Sequence, residues 1–415
     1  GNELRMIARG RLGTEEAGLG PEELFRPVLD PEDSDSGKLD SAVELLVRGG
    51  RDIRHAVAML VPEAWEGQRD LPRGVRSFFR YHACLSDPWD GPAGLVFSDG
   101  RRVGAALDRN GLRPLRWQVC DDGLVVCASE VGAVPVTGHG SVRRGRLGPG
   151  DMICVDPDRA SGNGAAAATS AVQDDTDVKT WLARLQPYSQ WARDGLLPAD
   201  IGAPVEMPPV PEDLARQQVA FGLTREEVAM VLKPMATDAK EPTFSMVDDV
   251  PIAAVATRPR PIFNYLKQRF AQVTNPPIDH LRERLVMSLR TCLGPRRPLL
   301  TEEPGAARLL ELPSFFLYPE AVESLLDADR SVFKAVRLSA TFPIADGPRG
   351  LEAAIRTLGD TAVEAVAAGA AVLVISDRSV SADRAPIPSL LALGAVHHRL
   401  VAEHTRQQAS IVVAS

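Results

Sequence analysis

The spacing of apolar residues changes period along this chain, and that change constrains its fold more than any other feature. Between residues 94 and 128, short apolar runs are separated by Ser98-Asp99-Gly100 and by Asp121-Asp122-Gly123. Asp and Gly tolerate the positive φ of tight hairpin loops, so each triplet predicts a turn between antiparallel strands. The predicted strand pairs are 95–97 with 103–107 and 115–119 with 124–128.

Apolar residues before these hairpins recur at helical spacing. The run 39–46 predicts a helix that stops at Gly49-Gly50. Helices followed by an antiparallel meander form an α+β pattern, which we assign to residues 1–157. The other predicted elements of this region are helices near 53–59 and 75–84 and a strand at 152–155.

A small, polar segment follows this region. Residues 160–177 show no periodic apolar face and predict an exposed linker. A proline cluster at 204–211 marks a second boundary. We therefore expect a linker and connecting helix over 158–205 and a second domain over 206–415.

The last part of the chain alternates strands and helices, which implies parallel strands joined by right-handed crossovers. Ligands in such sheets bind beyond the carboxyl ends of the strands, so Ser376-Asp377-Arg378 could border a site. These residues could equally form a solvated loop with a helix cap. The predicted order is strand 332–338, helix 351–368, strand 371–375, helix 386–404 and strand 411–415.

Composition excludes several classes of function. The chain has 415 residues, which predicts two or three domains, and 47 Lys and Arg against 55 Asp and Glu give a net charge of −8. This charge lacks the basic excess that nucleic-acid binding requires. The longest apolar run, 365–375, is shorter than the roughly 20 residues of a membrane-spanning helix. Without a secretory signal at residues 1–5, a cytoplasmic location is expected, with neither nucleic acid nor a membrane as partner.

A search for self-contained catalysis finds no motif of that kind. The sequence has no Gly-x-Ser-x-Gly elbow, no Walker loop and no His-Glu-x-x-His. The five cysteines lack metal-binding spacing and are expected to be free thiols. His397-His398 are adjacent on a predicted helix and point in different directions, which favours a structural role over a shared metal.

Polar motifs in the first half occur in an order and spacing found together in one family. They resemble the later part of a class II glutamine amidotransferase domain, as found in the large subunit of glutamate synthase. The motifs are Ser34-Asp35-Ser36, Tyr81 to Cys84, Pro88 to Ala93, Asp108 to Pro114 and Arg146 to Met152.

Motifs in the second half resemble the central domain of the same family. They are Glu241-Pro242, Ser245-Met246, Asp248-Asp249, Phe270 to Asp279, Val286 to Leu289, Ser376-Asp377-Arg378 and Arg384 to Pro388.

The resemblance implies a fold and a mechanism. It implies an Ntn-type αββα fold for the amidotransferase part and an α/β central domain with a parallel sheet, truncated at the C-terminus. In such enzymes an N-terminal Cys thiolate attacks the glutamine amide, and an Asn-Gly pair stabilises the oxyanion. The ammonia released passes internally to a barrel with FMN and an iron–sulfur cluster, where 2-oxoglutarate is reductively converted to glutamate. Electrons come from a small NADPH-oxidising flavoprotein subunit or from ferredoxin.

Only one substrate-binding residue carries over to this sequence. The Asp of the Ser-Asp-Ser loop, here Asp35, is expected to hold the α-amino group of glutamine, because a carboxylate suits an ammonium. Alternatively, Asp35 is an acidic residue that caps the helix. The nucleophile and the oxyanion Asn-Gly are expected before Gly1, so no catalytic, cofactor-binding or metal residue is assigned to this chain. Both ends of the chain look cut, and we expect this stretch alone to be inactive.

Two residues depart from the family pattern. Val247 stands where Gly is usual, and a β-branched residue there disfavours positive φ. His280 stands where Pro is usual.

Two other functions remain open at this point. One is a non-catalytic glutamine-binding or scaffold protein that retains the amidotransferase fold. The other, a purine-synthesis type of amidotransferase, disagrees with the second half, which lacks a phosphoribosyl-type acidic loop.

Overall fold

A computed structural model describes residues 12–30, 32–161, 165–203, 210–239, 255, 257, 261–265, 279–327 and 331–415. Its contacts divide the chain into two units. Unit 1 comprises Gly1–Ala199 and Asn275–Phe315, and unit 2 comprises Asp200–Thr274 and Phe316–Ser415. Within the described residues, no helix combines the length and the apolar character needed to span a bilayer.

The helices are numbered in chain order. They are α1 (Asp35–Arg48), α2 (Ile53–Leu60), α3 (Arg73–His82), α4 (Ala165–Ala171), α5 (Asp175–Leu182), α6 (Tyr188–Gly195), α7 (Leu214–Ala220), α8 (Arg225–Glu227), α9 (Lys233–Asp238), α10 (His280–Val286), α11 (Pro319–Leu326), α12 (Gly347–Ala367) and α13 (Ser389–Ala402).

The strands are numbered in the same way. They are β1 (Gly94–Ser98), β2 (Val103–Leu107), β3 (Arg116–Cys120), β4 (Val125–Ala128), β5 (Val142–Arg146), β6 (Met152–Val155), β7 (Val172–Gln173), β8 (Leu197–Pro198), β9 (Thr291–Leu293), β10 (Leu310–Leu312), β11 (Ala335–Ser339), β12 (Thr341–Pro343), β13 (Val372–Ser376), β14 (Arg384–Pro386) and β15 (Ser410–Ala414).

Unit 1 is built around two antiparallel sheets, in the orders β1-β2-β6-β7 and β4-β3-β5. Both predicted hairpins are present, as β1–β2 and β3–β4. Successive residues of β2 face opposite ways, as strand geometry requires. Ala105 and Leu107 pack in a core with Leu115, the residue before β3, whereas Ala106 joins the core formed with the helices. The layering confirms the predicted α+β class.

Residues 160–177 differ from their prediction as an exposed linker. They contain α4, and Val172 and Gln173 pair with Val155 and Cys154 at the edge of β6. Gln173 is buried and accepts a hydrogen bond from Arg54. A two-residue strand joins a sheet through its backbone and one buried side-chain amide. Because it is too short to show a periodic pattern of apolar residues, the sequence does not predict it. The prediction of an exposed linker was therefore wrong at this point.

Unit 2 contains the predicted parallel sheet, in the order β11-β13-β15. On one face, Leu373 and Ile375 pack in a core with α12 and α13. On the other, Val372 and Val374 pack against Val322 of α11. A strand covered on both faces reads as one continuous apolar run, which is why β13 was predictable.

Gly150, in the turn before β6, has no room for a side chain. Its φ is +75°, and a Cβ there would lie 2.4 Å from Cβ of Glu63. Gly150→Ala is expected to lower the free energy of unfolding by about 2–4 kcal/mol, from backbone strain and overpacking together. The measurement is urea unfolding followed by tryptophan fluorescence, which reports unit 1 because all five tryptophans lie there.

Gly100 provides the matched control for that substitution. Its φ of +83° is similar, but a Cβ there would meet nothing within 4 Å. Gly100→Ala should therefore cost only the backbone strain, about 1 kcal/mol. Equal losses in the two variants would show that the contact with Glu63 is unimportant.

Candidate functional site

Asp35 is the first residue of α1 and follows the capping residue Ser34. The Ser34 hydroxyl accepts a hydrogen bond from the Gly37 amide at 3.2 Å, so Ser34 rather than Asp35 caps the helix. The Asp35 side chain is exposed, and among the residues that the structure describes no hydrogen bond or ion pair engages its carboxylate. The carboxylate is thus accessible for a ligand, at the helix end whose dipole favours negative charge.

The motif Asp108 to Pro114 joins three loops of unit 1. The buried Asp108 carboxylate accepts the backbone N–H of Ala93 at 3.0 Å and that of Asn110 at 2.9 Å. The carbonyl oxygen of Asp108 accepts the N–H of Gly150 at 2.9 Å. Gly111 lies against Pro149, where a Cβ would come within 2.6 Å of the ring. The structure therefore brings together three motifs that the sequence analysis noted separately.

Further contacts extend this junction. Arg109 pairs with Asp90 of the motif Pro88 to Ala93. Arg282 of α10 donates to the carbonyl oxygen of Asn110 at 3.1 Å. Asp279 caps α10 by accepting the N–H groups of Leu281 and Arg282, both at 2.9 Å.

The capping by Asp279 explains one departure from the family pattern. His280 occupies the first helical position, whose N–H needs no partner within the helix. This is the position that proline favours and other residues tolerate. Val247 and the motifs between Glu241 and Ile278 lie outside the described residues.

A cavity of about 340 Å³ lies beside this junction in unit 1. Its walls include Glu63, Trp65, Asp90, Arg109, Arg290 and Cys292. Opposite charges are paired in its walls, because Arg109 pairs with Asp90 and Arg290 lies 3.8 Å from Glu66, which also lines the cavity. The cavity is therefore polar and close to electroneutral, which suits a small polar molecule.

A buried network of polar side chains lies near the cavity and was not predicted from the sequence. His55 Nε2 and His82 Nε2 are 2.7 Å apart, and the nearest Glu302 oxygen lies 3.9 Å and 3.7 Å from them. Arg51 lies 3.3 Å from Glu302, and Tyr188 donates its hydroxyl to the same carboxylate. Arg51 and Glu302 are far apart in sequence, so no local pattern could reveal the pair.

The proton positions of the two histidines follow from their partners. His82 Nδ1 lies 2.8 Å from the Phe78 carbonyl oxygen, which can only accept, so this nitrogen carries the proton. Arg51 Nη1, which can only donate, lies 3.2 Å from His55 Nε2. Burial lowers the pKa of both histidines, with a further lowering by the positive charge of Arg51. Burial raises the pKa of Glu302, but contacts with His82, Arg51 and Tyr188 outweigh it and keep this carboxylate ionised.

The same three groups could be taken for a metal site, since His55, His82 and Glu302 lie within 4.8 Å of one another. The geometry of these groups does not fit a zinc site. Two imidazole nitrogens on a tetrahedral zinc stand about 3.3 Å apart, given Zn–N bonds of about 2.0 Å, and here they are 2.7 Å apart. The Arg51 guanidinium, 3.2 Å from His55 Nε2, adds repulsion against a cation. We interpret the cluster as a hydrogen-bonded structural network.

This cluster also bears on the cofactors implied by the resemblance. Among the described residues it is the only group of three or more His, Cys, Asp or Glu side chains close enough to share a metal. It contains no cysteine, whereas iron–sulfur clusters are held by cysteine thiolates. The described residues therefore do not fit such a cluster, and no chemical step is assigned to one here.

The other predicted edge residues have structural partners. Asp377, after β13, is buried and accepts from the Ser415 hydroxyl at 2.7 Å, while Arg378 lies 3.8 Å from Glu323. His397 accepts from Arg406 at 3.0 Å, in keeping with a structural role.

Removing Glu302 should strongly destabilise unit 1. Glu302→Ala would leave the buried Arg51 charge without its counter-ion, and we expect a loss of about 3–5 kcal/mol in the free energy of unfolding. Glu303→Ala is the matched control, because the Glu303 side chain is 43% exposed and pairs with Arg297 at 3.5 Å. The control should lose less than about 1 kcal/mol. Urea unfolding followed by tryptophan fluorescence measures both, and similar losses would contradict the role of the network.

The lowered pKa values of His55 and His82 predict a pH dependence of stability. Below pH 6.5, the ordinary histidine value, the unfolded chain takes up protons that the folded chain does not. Stability should therefore fall as the pH falls from 7.5 to 5.5, by about 1–2 kcal/mol from the two residues. The double variant His55→Gln, His82→Gln should show a smaller fall, measured by the same unfolding curves. If the double variant showed the same pH dependence as the wild type, the fall in stability could not be attributed to His55 and His82.

Comparison with known proteins agrees with the motifs. Residues 1–191 match the sequence model described as glutamine amidotransferases class-II, and residues 216–415 match the one described as glutamate synthase central domain. A ferredoxin-dependent chloroplastic glutamate synthase of Oryza sativa subsp. japonica is 44% identical over 402 residues, which cover 95% of this chain and 24% of the relative.

Relatives from bacteria show the same coverage. Ferredoxin-dependent glutamate synthase 2 of Synechocystis is 42% identical over 94% of this chain and 25% of its own length. The glutamate synthase (NADPH) large chain of Azospirillum brasilense is 37% identical, again over 94% and 25%. The chain thus spans about a quarter of the length of these relatives. With one half matching the amidotransferases and the other the central domain, it belongs to the glutamate synthase family.

Proposed function

We propose that this chain acts within a glutamate synthase, in which it forms the distal part of the glutamine site and the central domain. The observation that carries the proposal is the accessible Asp35 carboxylate at the start of α1, in a unit whose family motifs interlock around Asp108. The substrates of the complete enzyme would be glutamine and 2-oxoglutarate, and the product L-glutamate. The boundary at 206 and a cytoplasmic location belong to the same proposal.

The role of Asp35 would be recognition. Its carboxylate would bind the α-ammonium group of glutamine in a charge-assisted hydrogen bond. The nucleophilic Cys and the oxyanion Asn-Gly would come from residues preceding Gly1. When bound, FMN and an iron–sulfur cluster would supply the reducing chemistry, with electrons from ferredoxin or from an NADPH-oxidising subunit.

The test is Asp35→Asn in the full-length protein. A hydrogen bond to a charged group is worth about 1.5–3 kcal/mol, so the KM for glutamine should rise roughly 10- to 150-fold. Glutamate formation from added ammonia and 2-oxoglutarate should be unchanged, because it bypasses glutamine. The measurement is steady-state kinetics with each nitrogen donor.

Asp33→Asn is the matched control, since Asp33 is an exposed acid in the same loop. It should leave the KM for glutamine near the wild-type value. An unchanged KM in Asp35→Asn, or an equal loss with ammonia, would refute the role of Asp35. A full-length protein that binds glutamine in calorimetry and hydrolyses none would instead support the non-catalytic alternative.

A further inference from the structure

Two cysteines that are distant in sequence meet in the core of unit 1. Cys84 follows the end of α3, and Cys292 is the middle residue of β9. Both are buried, and both are free thiols. The Cys84 thiol donates to the Arg80 carbonyl oxygen at 3.5 Å, and the two thiols interact closely enough for each to shift the pKa of the other. A disulfide between them would have an S–S bond of about 2.05 Å.

The surroundings of the pair place the negative charge on one sulfur. Interaction with the Cys84 thiol and the charges of Arg290 and Arg296 outweigh burial and lower the pKa of Cys292 to about 7. The same interaction, together with burial, raises the pKa of Cys84. Arg296 also donates to the carbonyl oxygens of Ala83 and Cys84, at 3.0 Å and 2.7 Å, which fixes the chain at this point. Near neutral pH, Cys292 is thus the nucleophile and Cys84 the proton-bearing partner.

The cavity gives access to the nucleophile only. Cys292 lines the cavity of about 340 Å³, and Cys84 is absent from its lining. Arg290 lines the same cavity, and its buried Nη2 has no hydrogen-bond partner within the described residues. A small oxidant in the cavity would therefore lie beside Cys292 and the cationic side chain of Arg290.

We propose that Cys292 and Cys84 form a peroxide-sensitive thiol pair, with Cys292 as the reacting residue and Cys84 as the resolving one. The Cys292 thiolate attacks one oxygen of hydrogen peroxide, the O–O bond breaks, and Cys292 becomes a sulfenic acid as hydroxide leaves. Arg290 can hydrogen-bond the departing oxygen. The Cys84 sulfur then displaces water from the sulfenic acid, and the disulfide forms with peroxide as the two-electron acceptor. A dithiol reductant reverses the reaction.

The three other cysteines of unit 1, Cys120, Cys127 and Cys154, are poor candidates for the same chemistry, because none of them lines the cavity. Burial also raises the pKa of Cys127 and that of Cys154, the latter to about 11. Selectivity for Cys292 is therefore a specific consequence of this arrangement.

The experiment treats the reduced full-length protein with one equivalent of hydrogen peroxide and maps its cysteines by peptide mass spectrometry. The wild type should give a peptide linked through Cys84 and Cys292, lighter by about 2 Da than the two thiol peptides together. Dithiothreitol should remove the link. In Cys84→Ser the sulfenic acid cannot be resolved, and dimedone should label Cys292.

Two further variants complete the test. Cys292→Ser should give neither the link nor a dimedone label on Cys84, and the control Cys127→Ser should behave as the wild type. Cys84→Ala replaces Cys84→Ser if tryptophan fluorescence shows that the serine variant is unfolded. Absence of the link from the wild type, dimedone labelling of Cys127 before Cys292, or labelling of Cys84 in Cys292→Ser would each overturn the proposal.

Discussion

The loops of unit 1 depend on one buried carboxylate, that of Asp108. This carboxylate accepts hydrogen bonds from the backbone N–H groups of Ala93 and Asn110. The main-chain carbonyl oxygen of Asp108 accepts one from the N–H of Gly150. Buried N–H groups are costly when unpaired, so these bonds hold the start of β1 and the turn before β6 at fixed positions. Arg109, the next residue, pairs with Asp90 at the wall of the cavity. The junction around Asp108 therefore helps to fix one wall of the cavity.

The parts of the fold that sequence reasoning predicted are those with local signals. Asp-Gly turns fix the hairpins, and the alternation of strand and helix fixes the parallel sheet of unit 2. The inclusion of 279–315 in unit 1 has no such signal, since it rests on contacts such as that of Arg51 with Glu302. β7 was missed for a related reason, because two residues cannot show a period.

The candidate site was predictable to a smaller extent. Asp35 could be singled out only through the resemblance, since an acidic residue after serine at a helix start usually has a capping role. The structure assigns the cap to Ser34 and leaves the Asp35 carboxylate exposed. The Cys84–Cys292 pair could not be found by spacing, because metal and redox motifs are recognised by cysteines close in sequence. Both residues belong to one buried core that only the folded chain assembles.

The buried polar groups of unit 1 follow one electrostatic rule. A charge persists in the core only where a counter-charge touches it, because burial without one favours the neutral form. Glu302 stays ionised beside Arg51, whereas His55 and His82, which have no carboxylate oxygen of the described residues closer than 3.7 Å, are neutral. Cys292 follows the same rule, because the positive charges of Arg290 and Arg296 lower its pKa and favour the thiolate. Arginine side chains in unit 1 thus have two effects: they keep a buried acid ionised, and they lower the pKa of a buried cysteine.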